Sequence, residues 1–157
     1  MRRKDRAITD FDAIVKIMEE CDIIRLGLLD GEFPYIVPVN FAYRTEGEQI
    51  EFYVHGAMAG RKYELMKRNG SCSFEMDVPV RMECMYETGD ITMRYKSVMG
   101  TARIEFLEGE EKQQAMEKVL LARYEETKAF PYNKKVMART AVAKLTVIEL
   151  TAKANLG

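Results

Sequence analysis

Residues 49–70 read QIEFYVHGAMAGRKYELMKRNG, and a change of period inside this stretch decides the fold. In residues 49–55, Ile50, Phe52 and Val54 alternate with Glu51, Tyr53 and His55, the two-residue period of a strand with one face toward a core. Past the glycines at 56 and 60 the period lengthens. Met58, Lys62, Leu65 and Met66 recur at helical spacing, and Asn69-Gly70 is a helix-ending pair. A strand therefore feeds a short helix. Upstream, residues 23–29 are a β-branched apolar run that stops at the turn dipeptide Asp30-Gly31. Residues 34–43 are extended again, and the polar segment 44–48, with Gly47, turns the chain back into the strand at 49.

Further out, residues 9–20 open with Thr9-Asp10 and set Phe11, Ile14, Val15 and Met18 on one helical stripe. Downstream, residues 71–76 are strand-like, and residues 91–106 make one long or two shorter strands with Gly100 as a candidate bulge. Residues 108–126 are helical, Pro131 marks a break, and residues 141–151 form the last strand. Residues 78–89 are assigned to no element. Six or seven strands with three inserted helices and no regular βαβ alternation predict a mainly β fold, an antiparallel β-barrel with peripheral helices.

At 157 residues and 47% apolar composition the chain is read as one domain, 1–157, able to remove roughly 70% of its unfolded surface from water. Twenty-four Lys and Arg against twenty-five Asp and Glu leave a net charge of -1, which argues against a nucleic-acid partner. No apolar run reaches the length of a membrane span, and the opening MRRKDR leads into polar sequence, so a cytoplasmic protein is expected. By physics that opening is a solvated charge run or an arm leading into the helix. Cys21, Cys72 and Cys84 are odd in number and far apart, and are read as reduced, buried or half-buried thiols. A zinc site would need all three together with His55, the single histidine, so no metal site is assigned. The eleven methionines suit an adaptable core or a pocket lining.

The strand-to-helix junction carries the candidate chemistry. Gly56 and Gly60 allow close backbone approach, the first amides of the helix are donors without partners, and Arg61 and Lys62 add positive charge. A phosphomonoester suits such a junction, whereas two cations on an exposed helix are otherwise simply solvated. Glu51, Tyr53 and His55 would give a polar, aromatic face beside it. In the strand PYIVPVNFAY, Pro38 removes a ladder donor and belongs at an edge or bulge. Asn40, on the same face as Ile36 and Pro38, offers a donor and an acceptor to a planar ring or makes a strand-end hydrogen bond. In YKSVMGTARI, Ser97 and Gly100 interrupt a strand-like segment.

Taken in order, PYIVPVNFAY, HGAMAGRK, FEMD, YKSVMGTARI and TVIELTAKAN resemble the pyridoxamine 5'-phosphate oxidase-like flavoproteins, and most of all their nitroimidazole-resistance branch. The resemblance spans nearly the whole chain. It implies an FMN-binding split β-barrel that forms a homodimer, with FMN held in two equivalent clefts at the subunit interface. Arg61 and Lys62 match the pair that grips the flavin phosphate, and Gly60 matches the small residue before them. Val37, Pro38, Val39 and Asn40 match the strand beside the isoalloxazine ring, His55 and Gly56 the strand end that approaches the flavin, and Ser97 a segment reaching the cofactor from another strand. True pyridoxamine phosphate oxidases resemble one another in a C-terminal signature with a tryptophan and an Arg-Leu pair, and this chain has no Trp, so vitamin B6 oxidation is not expected. A lone histidine gives little support to a haem-handling role.

The expected function is an FMN-dependent oxidoreductase passing electrons to small planar acceptors such as nitroimidazoles. His55 would then be its polar contact or proton donor, or else cap a strand end. The alternative is a non-catalytic flavin-binding protein: a redox sensor, a carrier or a binder of small carboxylates. A third reading is a decayed flavin site that serves only as a dimer interface.

Overall fold

A computed structural model of the chain describes residues 3–124 and 133–156. Its elements in chain order are a 3-10 turn Lys4–Arg6, β1 (Ala7–Ile8), α1 (Phe11–Glu19), β2 (Ile23–Leu28), β3 (Tyr35–Glu46), β4 (Gln49–Ala57) and α2 (Arg61–Asn69). There follow β5 (Ser71–Met85), β6 (Asp90–Leu107), α3 (Gly109–Ala115), a π-helical turn Met116–Leu120, α4 (Leu121–Tyr124), α5 (Lys134–Ala138) and β7 (Thr140–Asn155). The strands form one antiparallel sheet in the order β1-β7-β4-β3-β2-β5-β6, and β6 also pairs with β7, so the sheet closes on itself as a barrel.

Alternation along the strands fills the interior. Ile24, Leu26, Leu28, Phe41, Phe52, Phe74, Met76, Val98 and Leu145 point inward and are buried. Phe52 meets Phe41 and Phe74 edge to face at 5.5 and 5.1 Å between ring centres. The helix α1 plugs one end with Ile14, Ile17 and Met18 and is capped by Asp10, whose side chain accepts from the Ala13 amide at 2.8 Å. Outside the barrel, α3 and the π-helical turn lay Ala115, Met116, Val119 and Leu120 over Ala42, Tyr53 and Val142.

The barrel is split because β3 changes partner midway. Residues 35–40 pair with β2, residues 41–46 pair with β4, and the last β4 residues, His55 to Ala57, pair only with β7. A seam therefore opens between the first half of β3 and the end of β4. Pro38, which cannot donate, lies on that open edge.

The structure corrects several sequence expectations. The helix after β4 begins at Arg61 and not near Met58, because Gly60 takes φ 95°, a conformation that ends the extended chain and that a residue with a Cβ resists. The Asp30-Gly31 turn lies within a longer loop, 29–34. Residues 78–89 are mostly the tip of a long β5–β6 hairpin. Gly100 is regularly paired, and the irregularity falls one residue on, where Ile148 of β7 is left unpaired between Thr101 and Ala102. The strand β1 and the helix α5 come in addition, and the last strand reaches Asn155. The helix read over 108–126 is interrupted by the π-helical turn; its last two residues and the break at Pro131 lie outside the described residues, as do Met1 and Arg2 of the opening segment. Cys84 is exposed, although Cys21 and Cys72 are buried as expected.

Candidate functional site

The seam gathers most of the residues singled out in the sequence. Val37 and Val39 turn toward the core, with Val39 buried, while Pro38 and Asn40 face outward from the open half of β3. His55 and Gly56 form the opposite lip at the end of β4. The chain then turns through Gly60 into α2, whose first hydrogen bond runs from the Glu64 amide to the Gly60 carbonyl at 3.1 Å. The amides of Arg61, Lys62 and Tyr63 thus open into the junction, with no side-chain cap on the helix.

The two cations take opposite lips. Lys62 crosses the β4 lip so closely that a Cβ on Gly56 would stand 2.7 Å from its Nζ. Gly56 is thus the cradle for this ammonium. Arg61 reaches the β3 lip, its guanidinium 5.4 Å from the Tyr35 ring centre. It is held there by Asp30, to which Nε donates at 2.6 Å and Nη2 donates as well. Asp30 also draws in Arg68, and Arg68 and Asn69 each donate to the Leu29 carbonyl at 3.0 Å, so Leu29 and Asp30 at the start of the 29–34 loop are tied to both ends of α2. The contacts of Asp30 and Tyr35 with Arg61 were not legible in the sequence. An aspartate before glycine reads as a turn former, and nothing local signals a guanidinium thirty-one residues away.

Half-burial lowers the Lys62 pKa, and among the described residues no carboxylate pairs with this ammonium. The packing around the His55 imidazole, followed by the nearby Lys62 charge, holds the His55 pKa below its ordinary value. His55 is therefore neutral at pH 7, offering one donor and one acceptor. Its depressed pKa makes stability full above about 6.5 and progressively lost as pH falls through the folded-state value. Replacing Lys62 by methionine removes one of the two causes and is expected to raise the His55 pKa. A proton NMR titration of the single histidine reads this directly, and an unchanged midpoint would disprove the coupling.

Other expected members stand differently. Tyr53 does not face a ligand: it is buried beneath the π-helical turn, and its hydroxyl donates to Glu51 at 2.7 Å. Of that strand face only His55 remains open to the seam. Asn40 makes the strand-end bond, donating to the Asp22 carbonyl at 3.3 Å. Ser97 lies on β6 between Asp77 and Lys153, with β5 and β2 separating it from β3, about 14 Å along the sheet. Within one chain it is not part of the seam.

Residues 10–154 match the family described as pyridoxamine 5'-phosphate oxidase, nearly the whole of the chain. The chain belongs to the pyridoxamine 5'-phosphate oxidase family. Its barrel is shared by solved structures. One, from Bacteroides thetaiotaomicron and provisionally described as a 5-nitroimidazole antibiotic resistance protein, is 28% identical, with 94% of this chain and 86% of that one covered and a TM-score of 0.80. The flavocytochrome Anf3 of Azotobacter vinelandii is 20% identical, covering 100% and 72% of the two chains with a TM-score of 0.82. An FAD and heme binding protein of Mycobacterium smegmatis is 13% identical, covering 97% and 74% with a TM-score of 0.83. These last two show a common fold. No curated protein matches the sequence. Among the described residues of this family member, no helix is long and apolar enough to cross a membrane, and no cluster of His, Cys, Asp or Glu could hold a metal ion.

Proposed function

We propose that this member of the pyridoxamine 5'-phosphate oxidase family binds FMN along its seam and acts, as a homodimer, as a flavin-dependent oxidoreductase on small planar acceptors, nitroimidazoles among them. The observation that carries this is Lys62: a half-buried ammonium that has no carboxylate partner among the described residues, beside free helix amides and the Arg61 guanidinium, is a site for a phosphomonoester. The descriptions of the structural neighbours point the same way, since they include a flavocytochrome, an FAD-binding protein and a nitroimidazole-resistance protein.

The residues fit the cofactor part by part. Arg61, Lys62 and the first α2 amides would take the phosphate. The open edge of β3 at Val37, Pro38, Val39 and Asn40 leaves backbone groups without a β4 partner, and these would line the ring. Bound flavin supplies the electron transfer. His55, neutral and exposed at the lip, would accept from or donate to the acceptor molecule through its ring nitrogens; an anion arriving beside Lys62 raises its pKa toward the range where it gives up a proton.

The test is the visible spectrum of the freshly purified protein, with mass spectrometry of the cofactor released on denaturation. The expected result is about one FMN per subunit, reduced by a nicotinamide donor and reoxidised by a nitroimidazole. A colourless protein that refuses added FMN would overturn the reading. A His55→Ala variant that keeps its flavin and its full turnover would remove any chemical role for His55, and bound flavin with no turnover in the parent would make the protein a carrier or sensor.

A further inference from the structure

Arg61 and Arg68 are seven residues apart on α2, two turns of helix, and so stand in one row along the face that meets the 29–34 loop. Asp30 reaches both. Its Oδ2 accepts from Nε of Arg61 at 2.6 Å and from Nη2 of the same residue, and its Oδ1 faces Nη2 of Arg68 at 3.5 Å. The Asp30 side chain is 17% exposed while those of Arg61 and Arg68 are 66% and 61% exposed, so the carboxylate is sunk beneath the two guanidiniums. Among the described residues neither arginine pairs with another carboxylate.

Two guanidiniums converging on one point make a seat for an oxyanion, and here the chain fills that seat with a carboxylate of its own. The seat adjoins the junction at the start of α2, because Arg61 belongs to both. Its Nε and Nη2 edge is turned to Asp30, which leaves Nη1 and the second Nη2 hydrogen, the end of the fork, for an anion beside Lys62. The loop does not hang on this carboxylate alone, since Arg68 and Asn69 also donate to the Leu29 carbonyl. What Asp30 adds at the junction is a fixed negative charge, which repels a second anionic group placed next to the first.

We propose that Asp30 determines the specificity of the phosphate site: its carboxylate occupies the position between Arg61 and Arg68 that a second phosphate would need, so the site takes a flavin mononucleotide and rejects the pyrophosphate of a dinucleotide. A nucleotide that ends in one phosphate uses the helix amides, Lys62 and the free end of Arg61. A pyrophosphate carries a second charged group and an adenylate beyond the first, and along this lip it meets Asp30 where the two arginines would otherwise receive it. A cation strengthens the binding of either nucleotide, whereas a carboxylate at this point selects by exclusion. This role of Asp30 rests on the flavin reading of the seam.

The experiment measures the affinities of FMN, FAD and riboflavin by titration of flavin fluorescence in the full chain and in its Asp30→Ala and Asp30→Asn variants, with folding checked by circular dichroism. The expected result is a parent that binds FMN more tightly than FAD by about tenfold or more, and an Asp30→Ala variant in which FAD gains about tenfold while riboflavin is unchanged. Asp30→Asn, which keeps the shape of the side chain and removes its charge, gives part of the same gain. A parent that prefers FMN but whose ratio neither substitution moves overturns the role of Asp30 and leaves the flavin reading standing. So does a parent that binds FAD as tightly as FMN, or a gain that riboflavin shares equally. A parent that binds none of the three flavins overturns the reading and the role with it. Should Asp30→Ala fail to fold, the ratio in Asp30→Asn decides.

Discussion

Lys62→Met is expected to weaken FMN binding about tenfold to a hundredfold while leaving riboflavin, the same ring without its phosphate, bound within about twofold. Hydrogen bonds to charged groups contribute about 1.5–3 kcal/mol, and each 1.4 kcal/mol is a factor of ten. The whole of that range is open to Lys62, which is half-buried and, among the described residues, has no carboxylate to fall back on. Arg61→Ala should cost less, about three- to tenfold, since the Arg61 side chain is 66% exposed and already shared with Asp30. Gly56→Ala provides an independent route to the Lys62 effect. Its new Cβ would stand 2.7 Å from Nζ, and the flexible lysine would yield without harm to the fold but would leave the lip. Titration of flavin fluorescence quenching reads all three variants with both ligands. An equal loss of FMN and riboflavin in Lys62→Met would show that the cation serves the ring or the fold and not a phosphate.

The strand and helix that carry this site were legible because each obeys one period over its whole length. Residues 49–55 alternate in sequence, and residues 61–70 hold helical spacing up to a left-handed glycine at 70. What alternation does not say is what covers each face. Glu51 and Tyr53 are polar enough to suggest a ligand side, yet the π-helical turn, sixty residues away in sequence, packs over Tyr53. The long hairpin was hidden for a related reason. Val78, Val80, Met82 and Cys84 keep an unbroken two-residue spacing in sequence, but the bulge at Val80 turns Val78 to the inside of the sheet and Met82 to the outside. A period read along one strand carries no record of a residue skipped by its partner. Asp30 and Tyr35 failed to appear for want of any local pattern, since their roles exist only once the 29–34 loop lies along α2. The family resemblance supplied what periodicity lacked, the pairing of one strand edge with the junction on another.

Gly100→Ala is expected to destabilise the protein by about 3 kcal/mol or more, at the upper end of what overpacking costs, which lowers the melting temperature by about 6–12 °C in a chain of this size. A Cβ at Gly100 would run into the carbonyl oxygen of Glu149 and stand 2.6 Å from Cζ of Phe74. Neither neighbour can give way. The carbonyl belongs to β7 beside the unpaired Ile148, where the strand is pressed toward β6, and the Phe74 ring is locked against Phe52 in the barrel interior. Gly27→Ala is the control, because its Cβ would find Ser73 at an ordinary 3.8 Å, and the loss of backbone freedom in the unfolded chain makes that change neutral or slightly stabilising. Urea unfolding of both variants separates the two cases, and equal stabilities would refute the close approach. Phe74→Leu placed on Gly100→Ala should recover only part of the loss, since it removes the ring and leaves the carbonyl. The glycine is therefore required not to make a bulge but to let β6 pass a bulge in its partner, at the one seam where the barrel closes.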